Sequence, residues 1–141
     1  MIQKKFKKNN LILDSDIKLW LYPKIHNNLK ISKQEIIWSK KLIKKRKKEY
    51  MHSRSFIRSS LSSLFKIEPL NIPIIAKPGE APKLLNDLGF ISLSHCNDAI
   101  LIGWSKYKIG VDIEWKNRII DKRIYKKVFK KEEIKLNSIF N

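Results

Sequence analysis

Cysteine occurs once in this chain, glycine four times and proline five times, and the 13 acidic residues are far outnumbered by 31 lysines and arginines. The single Cys96 has no internal partner, which excludes a disulfide-held secreted scaffold and fits a reducing compartment. No apolar run approaches the roughly 20 residues that cross a bilayer, so a membrane-spanning helix is not expected. The basic Met1–Asn10 stretch is followed only by the apolar Leu11–Leu13 before Asp14 and Asp16, which does not read as a secretory leader. These absences predict a cytoplasmic protein without a membrane partner. What is present, 141 residues with 43% hydrophobic content, suffices for one ordinary core but not for a second large domain.

The formal charge of +18 invites a nucleic-acid reading first. Its distribution argues otherwise. Residues 1–50 carry a net +11 and residues 51–66 a further +3, whereas residues 67–104 come to −2 and residues 105–141 to +6. The middle of the chain is nearly neutral, and most of the excess is lysine beside abundant isoleucine and asparagine, a bias that an AT-rich genome also imposes. Trp20, Trp38, Trp104 and Trp115 could stack on bases, but they fall on four different predicted elements. No helix-turn-helix, zinc or ribonucleoprotein signature accompanies them. A basic nucleic-acid-binding protein is therefore the remoter alternative.

Local patterns predict a mixed α/β chain. A polar, basic and disordered N-terminus covers residues 1–15. A strand at Ile17–Tyr22 follows, closed by Pro23, with a polar turn around His26–Asn28. Ser32 with Glu35 three residues on forms a capping box, which starts a helix at Lys33 that is expected to run to about Lys45. Lys40, Lys41, Lys44, Lys45, Arg46, Lys47 and Lys48 would then decorate its C-terminal end, where cations suit the dipole, either as a solvated face or as an anion site. A second helix from Tyr50 places Ile57, Leu61 and Leu64 on one core stripe ending near Phe65. Arg54 and Arg58, four apart on that helix, could reach a shared anion or stand solvated. The proline-bearing 68–82 segment should be extended, with a short strand within Ile72–Ala76. Strands are expected at Phe90–His95, Ala99–Trp104 and Ile109–Glu114, joined by hairpin-length separators, and a last helix after Asp121 turns Ile124, Val128 and Phe129 inward.

Chemistry concentrates in two places. In Gly110-Val111-Asp112-Ile113-Glu114, strand alternation puts Val111 and Ile113 on one face and Asp112 and Glu114 on the other. Paired carboxylates suit Mg²⁺, which takes one or two of them and fills its octahedron with water and phosphate oxygens; a plain surface strand would look the same. Upstream, Ser92-Leu93-Ser94-His95-Cys96 closes a strand before a turn, so Ser94 and His95 become candidate donors to phosphate.

Taken in order, Leu93-Ser94-His95, then Ile109 to Glu114, then Phe129 with Glu132-Glu133, resembles the longer, surfactin-synthetase-activating type of 4′-phosphopantetheinyl transferase. Weaker matches are Ser53-Arg54 with Arg58, which resemble that family's arginine-bearing helix, and Pro78-Gly79-Glu80-Ala81-Pro82, which resembles its glycine-lysine-proline turn. Together the matches cover most of residues 30–136.

The resemblance implies two similar α/β halves with coenzyme A between them, residues 16–104 forming the first half and residues 105–141 beginning the second. It implies Mg²⁺ on Asp112 and Glu114, with these two and His95 as the catalytic set. It further implies that Lys44, Lys45, Arg46, Arg54, Arg58, Ser94 and His95 hold the coenzyme phosphates. The partner would be an acyl- or peptidyl-carrier protein whose serine receives the phosphopantetheine arm, with no nucleic acid involved. Two departures from the family pattern are visible: Glu80 stands where the turn's lysine is usual, and the later W-x-x-K-E-[SA] motif has no counterpart before Asn141. A truncated, slow transferase is the expectation, and an inactive remnant retaining weak coenzyme A affinity is its alternative.

Overall fold

The computed structural model describes residues 10–14, 16–23 and 28–116. The first strands are β1 (Asn10–Asp14) and β2 (Ile17–Pro23), followed by helices α1 (Lys33–Ser39) and α2 (Lys44–Phe65). A 3₁₀ turn at Pro69–Asn71 leads to β3 (Ile74–Ile75), β4 (Lys83–Leu84), β5 (Phe90–His95) and β6 (Ala99–Ser105). Strand order in the main antiparallel sheet is β1-β2-β6-β5, and β3 pairs β4 in a separate two-stranded ribbon. The class is thus α+β with antiparallel pairing. Among the described residues no helix is long and apolar enough to cross a membrane. The last helix, Ile124, Val128, Phe129, the Glu132-Glu133 pair and the turn residues His26 and Asn27 lie outside the described residues.

Period-two alternation decides which face of the sheet is core. Trp20 and Tyr22 of β2, Ile100, Ile102 and Trp104 of β6, and Ile91 of β5 point one way and meet Phe56, Ile57 and Leu61 of α2. Tyr22 stacks on Phe56 with ring centroids 4.5 Å apart, and its hydroxyl pairs with Ser60 Oγ at 2.9 Å. Phe65 meets Trp104 edge-on at 5.6 Å, which closes the far end of the same layer. The stripe expected on α2 is the one buried, because Ile57 and Leu61 are inaccessible to solvent.

Four expectations are corrected. The helix foreseen from Lys33 to Lys45 is two helices. Its capping box forms, with Ser32 Oγ accepting from the Glu35 amide and Glu35 Oε2 accepting from the Ser32 amide. The helix ends at Ser39, however, whose hydroxyl back-bonds to the Ile36 carbonyl at 2.8 Å while tighter three-residue bonds close residues 40–42. Ile43 then extends the backbone and α2 begins at Lys44. Lys44, Lys45, Arg46, Lys47 and Lys48 therefore sit at a helix N-terminus, while Lys40 and Lys41 follow the C-terminus of α1. Second, residues 10–14, assigned to a disordered terminus, pair with β2 as a strand.

Third, Arg54 and Arg58 neither stand solvated nor share an anion. They are 5% and 4% exposed. A proline-bearing extended segment keeps its carbonyls but lacks a ladder to satisfy them, and the two arginines supply the donors. Arg58 Nη1 donates to the carbonyls of Pro69 and Ile72, and Arg54 Nε donates to that of Ala76, which also accepts from the Tyr50 hydroxyl at 2.7 Å. Arg58 is neutralised by buried Glu35, its Nε lying 2.9 Å from Oε2 and its Nη2 3.1 Å from Oε1. One carboxylate thus caps α1 and locks it onto α2.

Fourth, Ile109–Glu114 is not a strand. Gly103 of β6 leaves a notch on the sheet face opposite α2, where a Cβ would come within 2.5 Å of Val111 Cγ1 and 3.3 Å of Ile109 Cδ1. The segment crosses that notch and is attached to β5 by side chains instead of a backbone ladder.

Candidate functional site

Beside the first two turns of α2 an open groove of about 480 Å³ forms. Leu42, Arg46, Glu49, Tyr50 and Ser53 build one wall, Pro78 and Gly79 the second, and Leu93 with His95 the third. Three chain regions converge because α2 lies along the inner face of β5 while the arginines pull the 68–79 segment over its other flank. Gly79 turns there at φ +84°, a conformation that a side chain would strain. A second depression of about 370 Å³ adjoins it, lined by Trp38, Lys41 and Lys77 and also by Glu80, which faces it in the place where a lysine was usual in the resembled family.

Arg46 lines the groove beside Glu49, and Lys44 and Lys45, exposed with it in the first turn of α2, are not among the lining residues. The N-cap of that helix, Ile43, supplies no side-chain acceptor. Free amides and like charges meet at the positive end of the helix dipole, a combination that an anion relieves. Glu49, itself half-buried, meets this only weakly, 3.7 Å from the exposed Arg46. His95 is exposed at the end of β5 and lines the groove.

Arg54 and Arg58 are not among the groove's lining residues; both belong to the interior behind it. Burial lowers the pKa of Arg54, partly offset by Tyr50, over whose ring the guanidinium lies 4.7 Å from the centroid. Burial likewise raises Tyr50, so its phenol stays a neutral donor to Ala76.

The acidic pair occupies the other side of β5. Val111 and Ile113 are half-buried while Asp112 and Glu114 are exposed, the alternation expected of the sequence although no ladder enforces it. Ser94 Oγ donates to Asp112 Oδ1 at 2.7 Å, and that oxygen also accepts from the Ile113 amide at 2.9 Å. Glu114 Oε1 accepts from the Trp115 amide at 3.1 Å. Two adjacent, solvent-facing carboxylates, each with one oxygen oriented by an amide, are a donor set that fits a hard divalent cation retaining most of its water. Among the described residues no cluster of three or more His, Cys, Asp or Glu joins them.

Ser94 and His95 therefore part company: the serine turns outward to the acidic segment, the histidine inward to the groove. The hydroxyl's one proton is already committed to Asp112, which removes Ser94 as a phosphate donor in this arrangement. Sequence reading overlooked Tyr50 as a groove residue and Glu35 as the counterion of Arg58. Glu35 left a trace, being the only acidic residue between Asp16 and Glu49. No protein-family model matches the chain, and a search of curated proteins finds no match either.

Proposed function

We propose that the chain binds coenzyme A and serves the Mg²⁺-dependent transfer of its 4′-phosphopantetheine arm to a serine of an acyl- or peptidyl-carrier protein, within a fold of the phosphopantetheinyl transferase type. One observation carries the reading: residues separated by up to 49 positions, from Arg46 through Pro78 and Gly79 to His95, line a single groove. Of its lining residues, Ser53, Pro78, Gly79, Leu93 and His95 come from the segments that carry the family resemblance, and the acidic motif is tied to the same strand through Ser94.

In this reading Lys44, Lys45 and Arg46 hold the terminal phosphate of the nucleotide, and His95 donates to a phosphate oxygen along the groove. Asp112 and Glu114, on the other side of β5 from the groove, would hold Mg²⁺, and the pyrophosphate would have to reach them round the His95 end of that strand for the ion to neutralise its charge. The chain's own part is positioning, because phosphoryl transfer asks little covalent chemistry of the protein.

Thermal melts of the full chain with coenzyme A, with and without Mg²⁺, test the binding. Stabilisation by the coenzyme that grows with Mg²⁺ is expected, and duplex DNA should give only salt-sensitive, sequence-independent binding. Stabilisation by one DNA sequence at physiological salt, with none by coenzyme A, would overturn the assignment. Mass spectrometry of an apo carrier protein incubated with coenzyme A and Mg²⁺ reads the transfer itself. Binding without any labelling would reduce the function to coenzyme recognition.

A further inference from the structure

Ser92 and Ser94 share the outer face of β5, two residues apart, and both hydroxyls are aimed at one neighbouring segment. Ser92 Oγ accepts from the Val111 amide at 3.2 Å. Ser94 Oγ accepts from the Ile113 amide at 3.2 Å and donates to Asp112 Oδ1 at 2.7 Å. A strand's edge normally meets its neighbour through backbone groups, spaced so that alternate residues pair. Here the hydroxyls stand on the sheet face and accept from alternate amides of a segment that crosses that face, so the segment keeps strand-like alternation without joining the sheet as a strand.

The crossing matters because Gly103 provides room for Val111 beneath, and the serines fix which residue sits in that room. A slip of one residue would bury Asp112 and expose Val111. We infer that Ser92 and Ser94 are positioning residues for the acidic pair, with Ser92 setting the register of Val111–Ile113 and Ser94 setting the orientation of the Asp112 carboxylate toward a divalent cation. The cation half of this inference rests on the proposed function; the register half does not. Ser94 holds Asp112 Oδ1 through its only proton, and among the described residues Oδ2 takes no hydrogen bond, so the oxygen presented outward is defined. Partners that orient a metal-binding side chain in this way commonly change metal affinity by about tenfold to a hundredfold when removed.

The test uses the full chain with Mn²⁺ as probe, its binding read by electron paramagnetic resonance, alongside amide exchange read residue by residue. Ser94→Ala should weaken Mn²⁺ binding about tenfold, and Ser94→Thr, which keeps the hydroxyl, should restore it to within about twofold of the parent. Ser92→Ala should speed exchange of the Val111 amide about tenfold while amides in α2 stay protected, which separates loss of the clamp from loss of the fold. Mn²⁺ binding by Ser94→Ala equal to that of the parent would overturn the orienting role of Ser94. Unchanged Val111 exchange in Ser92→Ala would overturn the register role of Ser92. If the parent itself binds no Mn²⁺, the metal reading under the proposed function falls and the cation half of this inference falls with it. The register half is then decided by the exchange data alone.

Discussion

Lys44, Lys45 and Arg46 stand exposed in the first turn of α2, whereas Arg54 and Arg58 farther along the same helix are almost fully enclosed, Arg58 donating to carbonyls and to Glu35 and Arg54 donating through Nε to the Ala76 carbonyl while its buried Nη1 has no partner among the described residues. Both groups are cationic, and both would count equally in a charge total. What separates them is the presence of waiting acceptors. The guanidinium fork meets several carbonyls and a carboxylate at once, so the 69–76 segment can recruit arginines into the interior. A hydrated ammonium at a helix N-terminus finds no internal oxygen and stays available to an outside anion. The first group is the recognition surface in the proposed function, and the second is scaffold.

The widest gap between the two groups should appear in stability. Glu35→Ala strands the Arg58 charge in the interior and is expected to cost about 3–5 kcal/mol in denaturant unfolding, against less than about 0.5 kcal/mol for Lys45→Ala. Similar costs for the two would erase the distinction. Next comes ligand affinity. Replacing Lys44, Lys45 and Arg46 together by glutamine should weaken adenosine 3′,5′-bisphosphate binding about tenfold at low ionic strength, and the deficit should shrink as salt screens the exposed charges. A calorimetric titration that finds no deficit at low salt would move the phosphate site elsewhere.

A smaller effect belongs to the cap that Glu35 shares. Ser32→Ala leaves the ion pair in place and should cost only about 1 kcal/mol, so melting of this variant measures the capping role apart from the charge role. The smallest concerns alkaline pH. Burial raises the phenol pKa of both Tyr22 and Tyr50 above the ordinary 10.0. A group raised in the fold contributes stability that is complete below its unfolded value and is lost as pH rises through the folded one. The melting temperature should therefore decline above about pH 10, and less steeply in Tyr22→Phe, which cannot ionise there. An identical alkaline decline in Tyr22→Phe would remove that phenol as its source.

Much of this could be read from residues near one another in the chain. Ser32 and Glu35 announce a helix start, the alternation in 17–22, 90–95 and 99–104 announces strands, and Ile57 and Leu61 announce a buried stripe. Local sterics and hydrophobic period govern these features, and they formed as read. The break at Ser39 carried no glycine or proline to announce it, because its cause is a serine back-bond followed by an extended Ile43. The interior placement of Arg54 and Arg58 depends on carbonyls that arrive from residues 69–76, which no helical spacing foretells.

Around the candidate site, sequence alone determined which residue types are present and how they alternate: a histidine ending a strand, paired carboxylates on one face, lysines in a cluster. Tertiary structure decided their company. It set Arg46, Gly79 and His95 around one groove, turned Ser94 away from it to Asp112, and put the basic run from Lys44 to Lys48 at the start of a second helix. The physical reason is range. Alternation and capping are satisfied within a few residues, whereas a buried charge, an unladdered carbonyl or a side-chain notch such as that at Gly103 is satisfied only by whatever the fold brings against it.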